Sequence, residues 1–279
     1  MSKSTLSLGL IALLIILALI SCKKDSKPRV QDNDLESAEN NSMAESIYND
    51  VTTLVDLAAY NGASMTFRTT EEQSILSGCV TITVDTVSVP RAITIDFGAS
   101  NCLCIDGRNR RGKILATYTG KYKDSGTVID IGFDNYFVND HQVKGSKTVT
   151  NKGKNASGNL VYAVAVNGEL VKANGGGTIT WISSRQREWM AGSATPLNVL
   201  DDAYGITGTA NGTNASGNAY AITISQVLVR KMNCGWFESG TITVVPEAAP
   251  AVILDYGNTG CDANAVVTIG NKNYDILLQ

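Results

Sequence analysis

Two kinds of hydrophobic periodicity divide the chain. Between about residue 37 and Tyr60, apolar residues recur at steps of three and four, which predicts one helix with a narrow apolar stripe. The opposite face is polar and contains Glu45, Asn49, Asp50 and Asp56. We therefore expect an amphipathic helix that lies on a surface of the domain. From about Gly78 onward, short runs alternate apolar and polar residues, as in antiparallel strands with one buried face.

Turn residues separate these alternating runs. Residues 123–126, residues 139–141 and residues 167–168 each predict a hairpin turn, because Gly, Asn and Asp tolerate the backbone conformations that tight turns need. A long series of hairpins predicts a mainly β fold, with one large antiparallel twisted sheet or a partly closed barrel. The N-terminal helix would then cover one open end or face of the sheet.

Two short patterns occur twice. The pattern D-(F/Y)-G-x-x-x-C follows an apolar run at residues 96–102 and again at residues 255–261. The first copy contains DFG, the metal-binding signature of protein kinases, but the chain lacks the glycine-rich loop, strand lysine and catalytic loop that a kinase requires. The pattern therefore predicts a tight turn at a strand end. The pentapeptide NASGN, at residues 155–159 and 214–218, precedes alternating runs and predicts hairpin loops.

The cysteines fit a disulfide framework in an exported protein. Each D-(F/Y)-G turn ends in a cysteine and has another cysteine upstream, so we predict the disulfides Cys79–Cys102 and Cys234–Cys261. Cys104 is then the extra thiol, and it could compete with Cys102 for Cys79 because both would point the same way from a strand.

The N-terminus predicts a lipid anchor. Lys3 precedes an apolar run at residues 8–20, and the run ends in Leu-Ile-Ser-Cys at residues 19–22, which resembles a bacterial lipobox. We expect residues 1–21 to be a signal peptide and Cys22 to be the lipidated first residue, tied to a membrane by its acyl chains. Residues 22–36 are polar and predict a flexible tether, followed by a single β-rich domain over residues 37–279.

The charged residues argue against several functions. With a formal net charge of −3, nucleic acid is not an expected partner. Arg108, Arg110 and Arg111 form the one basic cluster, which predicts a solvated edge or, alternatively, an anion site. His141 is the only histidine, so neither a catalytic triad nor a zinc site is expected, and we predict no enzyme activity and no cofactor.

Four oxygen-bearing residues raise a calcium alternative. They lie within a single turn region after the second D-(F/Y)-G motif and are Asp255, Asn258, Asp262 and Asn264. Ordinary turn chemistry explains the same residue types, because Asp and Asn side chains accept hydrogen bonds from nearby backbone N–H groups. We therefore predict no metal site and keep calcium as the alternative.

The strongest binding candidate is a single alternating run. If residues 180–189 form one unbroken strand, then Trp181, Arg185, Arg187 and Trp189 share a face and could stack on sugars or grip carboxylates. The alternative is a cross-strand ladder on a half-buried sheet, in which arginine stems cover the tryptophan rings and no ligand is involved.

Several of these features occur together in a known group of proteins. The lipobox, the helix segment at residues 44–51, the paired D-(F/Y)-G turns, and residues 106–112 and 261–264 together resemble a group of uncharacterised Bacteroidota lipoproteins over nearly the whole chain. The resemblance implies a β architecture, and Lys23 after the lipidated cysteine implies an outer-membrane location, on the periplasmic or the surface-exposed leaflet. It implies no activity and no catalytic residues.

Three functional hypotheses follow from the sequence. The first is a non-catalytic structural or adhesive module that contacts another envelope protein. The second is a glycan-binding surface lipoprotein that uses Trp181 and Trp189. The third is a carrier that holds an apolar ligand in a half-closed barrel.

Overall fold

One helix and a single β-sheet make up the described structure. The computed structural model describes residues 32–60, 78–195, 198–247, 249–258 and 260–278; the predicted signal peptide, Cys22 and most of the predicted tether lie outside these ranges. Helix α1 (Asp32–Tyr60) begins earlier than the sequence predicted, within the last residues assigned to the tether. The strands are β1 (Thr81–Asp85), β2 (Arg91–Asp96), β3 (Cys102–Leu103), β4 (Asn109–Tyr118), β5 (Val128–Val138), β6 (His141–Lys154), β7 (Leu160–Val171), β8 (Thr178–Ala191), β9 (Ala203–Thr213), β10 (Ala219–Lys231), β11 (Phe237–Pro246), β12 (Val252–Asp255), β13 (Asn264–Ile269) and β14 (Lys272–Leu277).

The strands form one open antiparallel meander. Successive strands pair in the order in which they occur along the chain, from β1 to β14, except that β3 pairs only with β4 at the side of this path. In the described part of the chain, β1 and β14 are the two ends of the sheet and do not pair with each other. The prediction of a large antiparallel sheet is confirmed, and the sheet does not close into a barrel.

Helix α1 lies against the concave side of this sheet. Its sequence has no glycine or proline between Asp32 and Tyr60, so nothing interrupts its backbone hydrogen bonds. Side chains of α1 reach Arg110 in β4, Arg187 in β8 and the loop that joins β9 to β10, which are far apart in the strand order. The sheet therefore curves around the helix.

The predicted surface position of α1 is wrong. Glu45 was assigned to the exposed face, yet only 3% of its surface is exposed, and Asp50 and Asp56 form ion pairs with arginines of the sheet. The periodicity correctly located the helix. The wrong surface position came from the assumption that charged side chains face water. Charges can instead be buried when partners of opposite sign are buried with them.

One predicted hairpin turn is also wrong. Asn167 and Gly168 lie within β7, and the chain turns only after that strand, at residues 172–177. Gly168 has a packing role instead: a Cβ atom there would lie 2.1 Å from the Tyr48 hydroxyl oxygen, so only glycine lets α1 approach β7 this closely. By contrast, the turn between β5 and β6 occurs at Asn139 and Asp140, as predicted, with positive φ at both residues.

The repeated motifs are strand-end turns, as predicted. Asp96 Oδ1 accepts a hydrogen bond from the Gly98 N–H, and Asp255 Oδ1 accepts one from the Gly257 N–H, each at 2.8 Å. Both glycines have positive φ, which explains why the motif requires them. In the NASGN loops, Asn155 and Asn214 accept backbone hydrogen bonds in the same way.

The predicted disulfides are confirmed. Cys79 bonds to Cys102 and Cys234 bonds to Cys261, so each D-(F/Y)-G turn is linked to a second segment. Cys104 is the buried free thiol, and its Sγ donates to the Cys102 carbonyl oxygen at 3.7 Å.

No helix in the described part of the chain has both the length and the apolar character needed to cross a bilayer.

Candidate functional site

The predicted tryptophan–arginine row exists, but it is buried. Strand β8 is continuous, and Trp181, Arg185, Arg187 and Trp189 share one face, as predicted. Their exposed fractions are 2%, 6%, 9% and 4%, because this face packs against α1 and neighbouring parts of the sheet. The row therefore presents no open surface for stacking on a sugar.

The first half of this row contacts the middle of α1. Trp181 Nε1 donates to Asn41 Oδ1 at 2.9 Å, and the Tyr48 ring stacks on the indole with 5.5 Å between ring centroids. Arg185 pairs with Glu45 through two hydrogen bonds, the shorter of them 2.5 Å from Nη2 to Oε2. These contacts make the row a helix–sheet interface.

The second half contacts the end of the helix and the β8–β9 connection. Arg187 Nη1 lies 3.3 Å from Asp56 Oδ2, and its guanidinium covers the Tyr204 ring at 3.5 Å. Trp189 Nε1 donates to Asp202 Oδ1 at 3.0 Å. Burial raises the pKa of Asp202 to about 6, although hydrogen bonds from Tyr204 and Trp189 partly oppose the shift.

Lys147 is a buried cation that the sequence interpretation missed. It lies in β6, has 2% of its surface exposed, and donates from Nζ to the Tyr48 carbonyl oxygen at 2.6 Å. Burial, together with the positive charge of Arg187, lowers its pKa to about 7. Lys147 is an even number of residues from the buried Val143 and Val149, so strand alternation could have revealed its inward direction.

The basic cluster is mainly an internal ion-pair network. Arg110 is fully buried and contacts Asp50 at 2.7 Å and Asp106 at 2.6 Å, while half-buried Arg108 lies 3.4 Å from Asp50. Arg111 is half-buried, covers the Phe137 ring and pairs with Asp140. The expectation of a solvated edge is wrong for Arg110, because two carboxylates balance the charge of its guanidinium within the fold.

The calcium alternative gains no support from the turn geometry. Asp255 Oδ1 accepts from Gly257 N–H, and Asp262 Oδ1 accepts from Asn264 N–H at 2.8 Å, as expected of ordinary turns. Within the described ranges, no group of three or more His, Cys, Asp or Glu side chains is arranged to hold a metal ion. Asn258 lies in the same loop, on the exposed surface.

A cleft of about 450 Å³ lies beside the N-terminal part of α1. Its wall has four parts: one face of the helix, the connection between β3 and β4, the region where β5, β6 and β7 begin or end, and the strands β10 to β14 with their connections. Most of the wall is apolar and includes Leu35, Met43, Ile47, Val138, Trp236, Phe237, Leu254, Val267 and Ile276. Such a volume and lining are typical of small-molecule sites.

Basic side chains outnumber acidic ones around this cleft. Arg108, His141, Lys172 and Arg230 line it, whereas Glu39 is the one acidic lining residue in the described part of the chain. Within the described residues, neither Lys172 nor Arg230 has a carboxylate within 4.0 Å, whereas Arg108 is paired with Asp50. The cleft therefore combines apolar walls with two cations that form no ion pair among the described residues.

Two of these basic groups have strongly constrained environments. Burial lowers the pKa of Arg230 to about 10, the nearby Arg108 shifts it in the same direction, and the charge of Asp50 partly opposes the shift. His141 Nδ1 accepts a hydrogen bond from the Ala173 N–H at 3.0 Å, and burial with the charge of Lys172 lowers its pKa. Because Nδ1 is an acceptor, His141 is neutral near pH 7 and carries its proton on Nε2.

Sequence reasoning did not find this cleft. Trp236 and Arg230 flank Cys234, and neither belongs to a recognisable motif. His141 was placed correctly at a hairpin tip, but the sequence did not indicate that this tip lies beside the helix.

Comparison of the chain with models of known protein families, with curated proteins and with solved structures gave no match in any of the three.

Proposed function

We propose that this protein is a lipid-anchored protein of the bacterial outer membrane that holds an apolar ligand in the cleft beside α1. The observation that carries the proposal is the cleft itself, a volume of about 450 Å³ with a mainly apolar wall. An apolar ligand that fills such a space loses contact with water, and each buried methylene contributes about 0.8 kcal/mol. The role is binding, with no catalytic step.

Burial of Trp181 and Trp189 favours this hypothesis over glycan binding. Glycan recognition was expected to use these two rings as exposed plates, and both are buried beside α1. The cleft has its own tryptophan, Trp236, next to Phe237, but aliphatic side chains outnumber the aromatic ones in its apolar wall. This lining suits hydrocarbon better than the hydroxyl-rich surface of a sugar.

The ligand test compares two methionine positions. Met43 lines the cleft, whereas Met190 is 40% exposed on β8 and lies outside the cleft. Native mass spectrometry of protein purified from its own membrane should detect a bound apolar molecule. Met43→Trp should greatly reduce its occupancy by filling the space, and Met190→Trp should retain it.

A probe makes the result independent of what co-purifies. The uncharged dye N-phenyl-1-naphthylamine should bind the wild-type protein and Met190→Trp, and it should bind Met43→Trp at least tenfold more weakly. If the wild type neither carries a co-purified apolar molecule nor binds the dye, the proposed function is wrong.

The location is tested separately at Cys22. The lipobox at residues 19–22 supports acylation of this cysteine, and multiple acyl chains would hold the protein to a membrane almost permanently. Cys22→Ala should abolish palmitate incorporation and release the protein from the membrane fraction. Cys104→Ala, which removes the buried free thiol, should leave both unchanged.

A further inference from the structure

We infer that the cleft selects an amphiphile with one acyl chain and one carboxylate head, a fatty acid, and that Arg230 binds the carboxylate. The inference rests on the proposed function, since it names the class of ligand for the same cleft. It comes from the charges of the cleft wall, a different observation from its apolar lining.

The charges favour an anion over an uncharged or cationic ligand. Lys172 and Arg230 both line the cleft, and neither has a carboxylate partner within 4.0 Å among the described residues. The other guanidinium in the wall, that of Arg108, is already paired with Asp50. A ligand carboxylate would therefore meet two cations without ion-pair partners, whereas Glu39 is the one acidic side chain among the described lining residues that would oppose its approach.

Arg230 is the cation that would gain most from such a ligand. It is half-buried, and its Nη1 donates to the carbonyl oxygen of Gly235, so its charge is partly desolvated with no carboxylate within 4.0 Å among the described residues. Desolvated cations are costly unless they are paired, and a guanidinium matches a carboxylate through two parallel hydrogen bonds. The site is thus arranged for a planar anionic head.

His141 adds a neutral donor to the same wall. Its Nδ1 is occupied by the Ala173 N–H, so Nε2–H is the ring donor left for other partners. A neutral donor stabilises an anion without a further charge to desolvate. The volume of about 450 Å³ lies toward the small end of ligand sites, which favours one acyl chain over several.

The cleft contains its own reporter. The chain has three tryptophans, of which Trp236 lines the cleft and Trp181 and Trp189 are buried elsewhere. Titration of dodecanoate into the full chain after the leader, with Cys22→Ala to remove its own acyl chains, should change Trp236 emission. Trp236→Phe should abolish the change.

The decisive comparison is dodecanoate against dodecanol, which has the same chain without the charge. Dodecanoate should bind at least tenfold more tightly than dodecanol. Arg230→Gln should remove this preference while leaving dodecanol affinity unchanged, and Lys172→Gln should reduce it by a smaller factor. Arg91→Gln, at an exposed arginine of β2, should keep the full preference.

The outcomes separate this inference from the proposed function. Equal binding of the acid and the alcohol by the wild type would overturn carboxylate selection and leave apolar binding intact. A preference for the acid that persists in Arg230→Gln would also overturn it, because the carboxylate would then bind elsewhere. If neither dodecanoate nor dodecanol binds a wild-type protein that binds the dye, this inference fails and apolar binding stands; if the dye does not bind and no apolar molecule co-purifies, the proposed function itself fails.

Discussion

The two sides of α1 differ in a way that reverses the simplest expectation for an amphipathic helix. The sheet side, with Asn41, Glu45 and Tyr48, carries a carboxylate and an amide but is almost completely buried. On the cleft side, the uncharged Ser42, Met43, Ser46 and Asn49 are only half-buried, and the one charged side chain, Glu39, is exposed. Side-chain charge therefore does not identify the solvent-facing side of this helix.

Partners of opposite charge explain the difference. On the sheet side, each buried carboxylate meets an arginine: Glu45 meets Arg185 and Asp56 meets Arg187. On the cleft side, Arg230 and Lys172 face the opening without a carboxylate partner among the described residues. The sheet side thus holds the helix through buried ion pairs, whereas the cleft side has cations without ion-pair partners among the described residues.

The largest effect is expected from breaking the central ion pair of the sheet side. Glu45→Ala leaves the Arg185 guanidinium buried and unpaired, which should lower the free energy of unfolding by about 3–5 kcal/mol. Urea unfolding measures this loss. Glu169→Ala breaks the half-exposed pair with Lys144 and should cost less than about 1 kcal/mol.

Removing both charges sharpens this test. Glu45→Leu combined with Arg185→Met should recover much of the stability lost in Glu45→Ala, because a hydrophobic replacement needs no charge partner. If Glu45→Ala costs no more than Glu169→Ala, the sheet side is not held by its buried charges.

The next largest effect on stability is expected from Lys147, the buried lysine whose Nζ donates to the Tyr48 carbonyl oxygen. Its pKa falls from 10.5 to about 7 in the folded protein, so between these pH values the unfolded chain binds more protons than the folded one. The free energy of unfolding should therefore rise as the pH increases through this range. Lys147→Met should remove the rise and stabilise the protein by about 1–4 kcal/mol at pH 7.

Lys144→Met is the matched control for this pH dependence. Lys144 lies on the same strand with its side chain 46% exposed, so the variant should keep the rise in stability between pH 7 and 10. Thermal unfolding at a series of pH values measures both variants. A wild-type stability that does not change over this range would contradict a buried Lys147 with a lowered pKa.

The smallest effects compare two asparagines of α1. Asn41→Ala removes the acceptor for Trp181 Nε1–H and leaves a buried donor unpaired, which should cost about 1–3 kcal/mol. Asn49→Ala, on the cleft side, should change the free energy of unfolding by no more than about 0.5 kcal/mol. The Asn49 side chain is only half-buried, and alanine has a higher helix propensity than asparagine. Equal losses in urea unfolding would remove the distinction between the two sides.

Local patterns predicted the local structure well. The alternation of apolar residues predicted the antiparallel sheet, and the repeated D-(F/Y)-G motif predicted both its strand-end turns and its disulfide-bonded cysteines, since these depend on neighbouring residues or on short loops. The failures involved contacts between distant segments. Gly168 was predicted to lie in a turn because the local sequence does not show why this position needs a small side chain. That need comes from Tyr48, more than a hundred residues away in the chain.

The candidate site was predicted only in part. Strand alternation correctly placed Trp181, Arg185, Arg187 and Trp189 on one face, but it could not determine whether that face meets solvent, a ligand or α1. The cleft contains residues from α1, β5 to β7 and β10 to β14, which no sequence window brings together.

The sequence by itself determined the elements of this protein: one uninterrupted helix, a long series of antiparallel strands, and two disulfide-linked turns. Each of these follows from hydrophobic period, turn chemistry or cysteine spacing, which act over short stretches of chain. Only the tertiary structure decided which charges are paired inside and which are left at the cleft. Charge pairing depends on distances between residues far apart in sequence, and these distances arise only when the sheet curves around the helix.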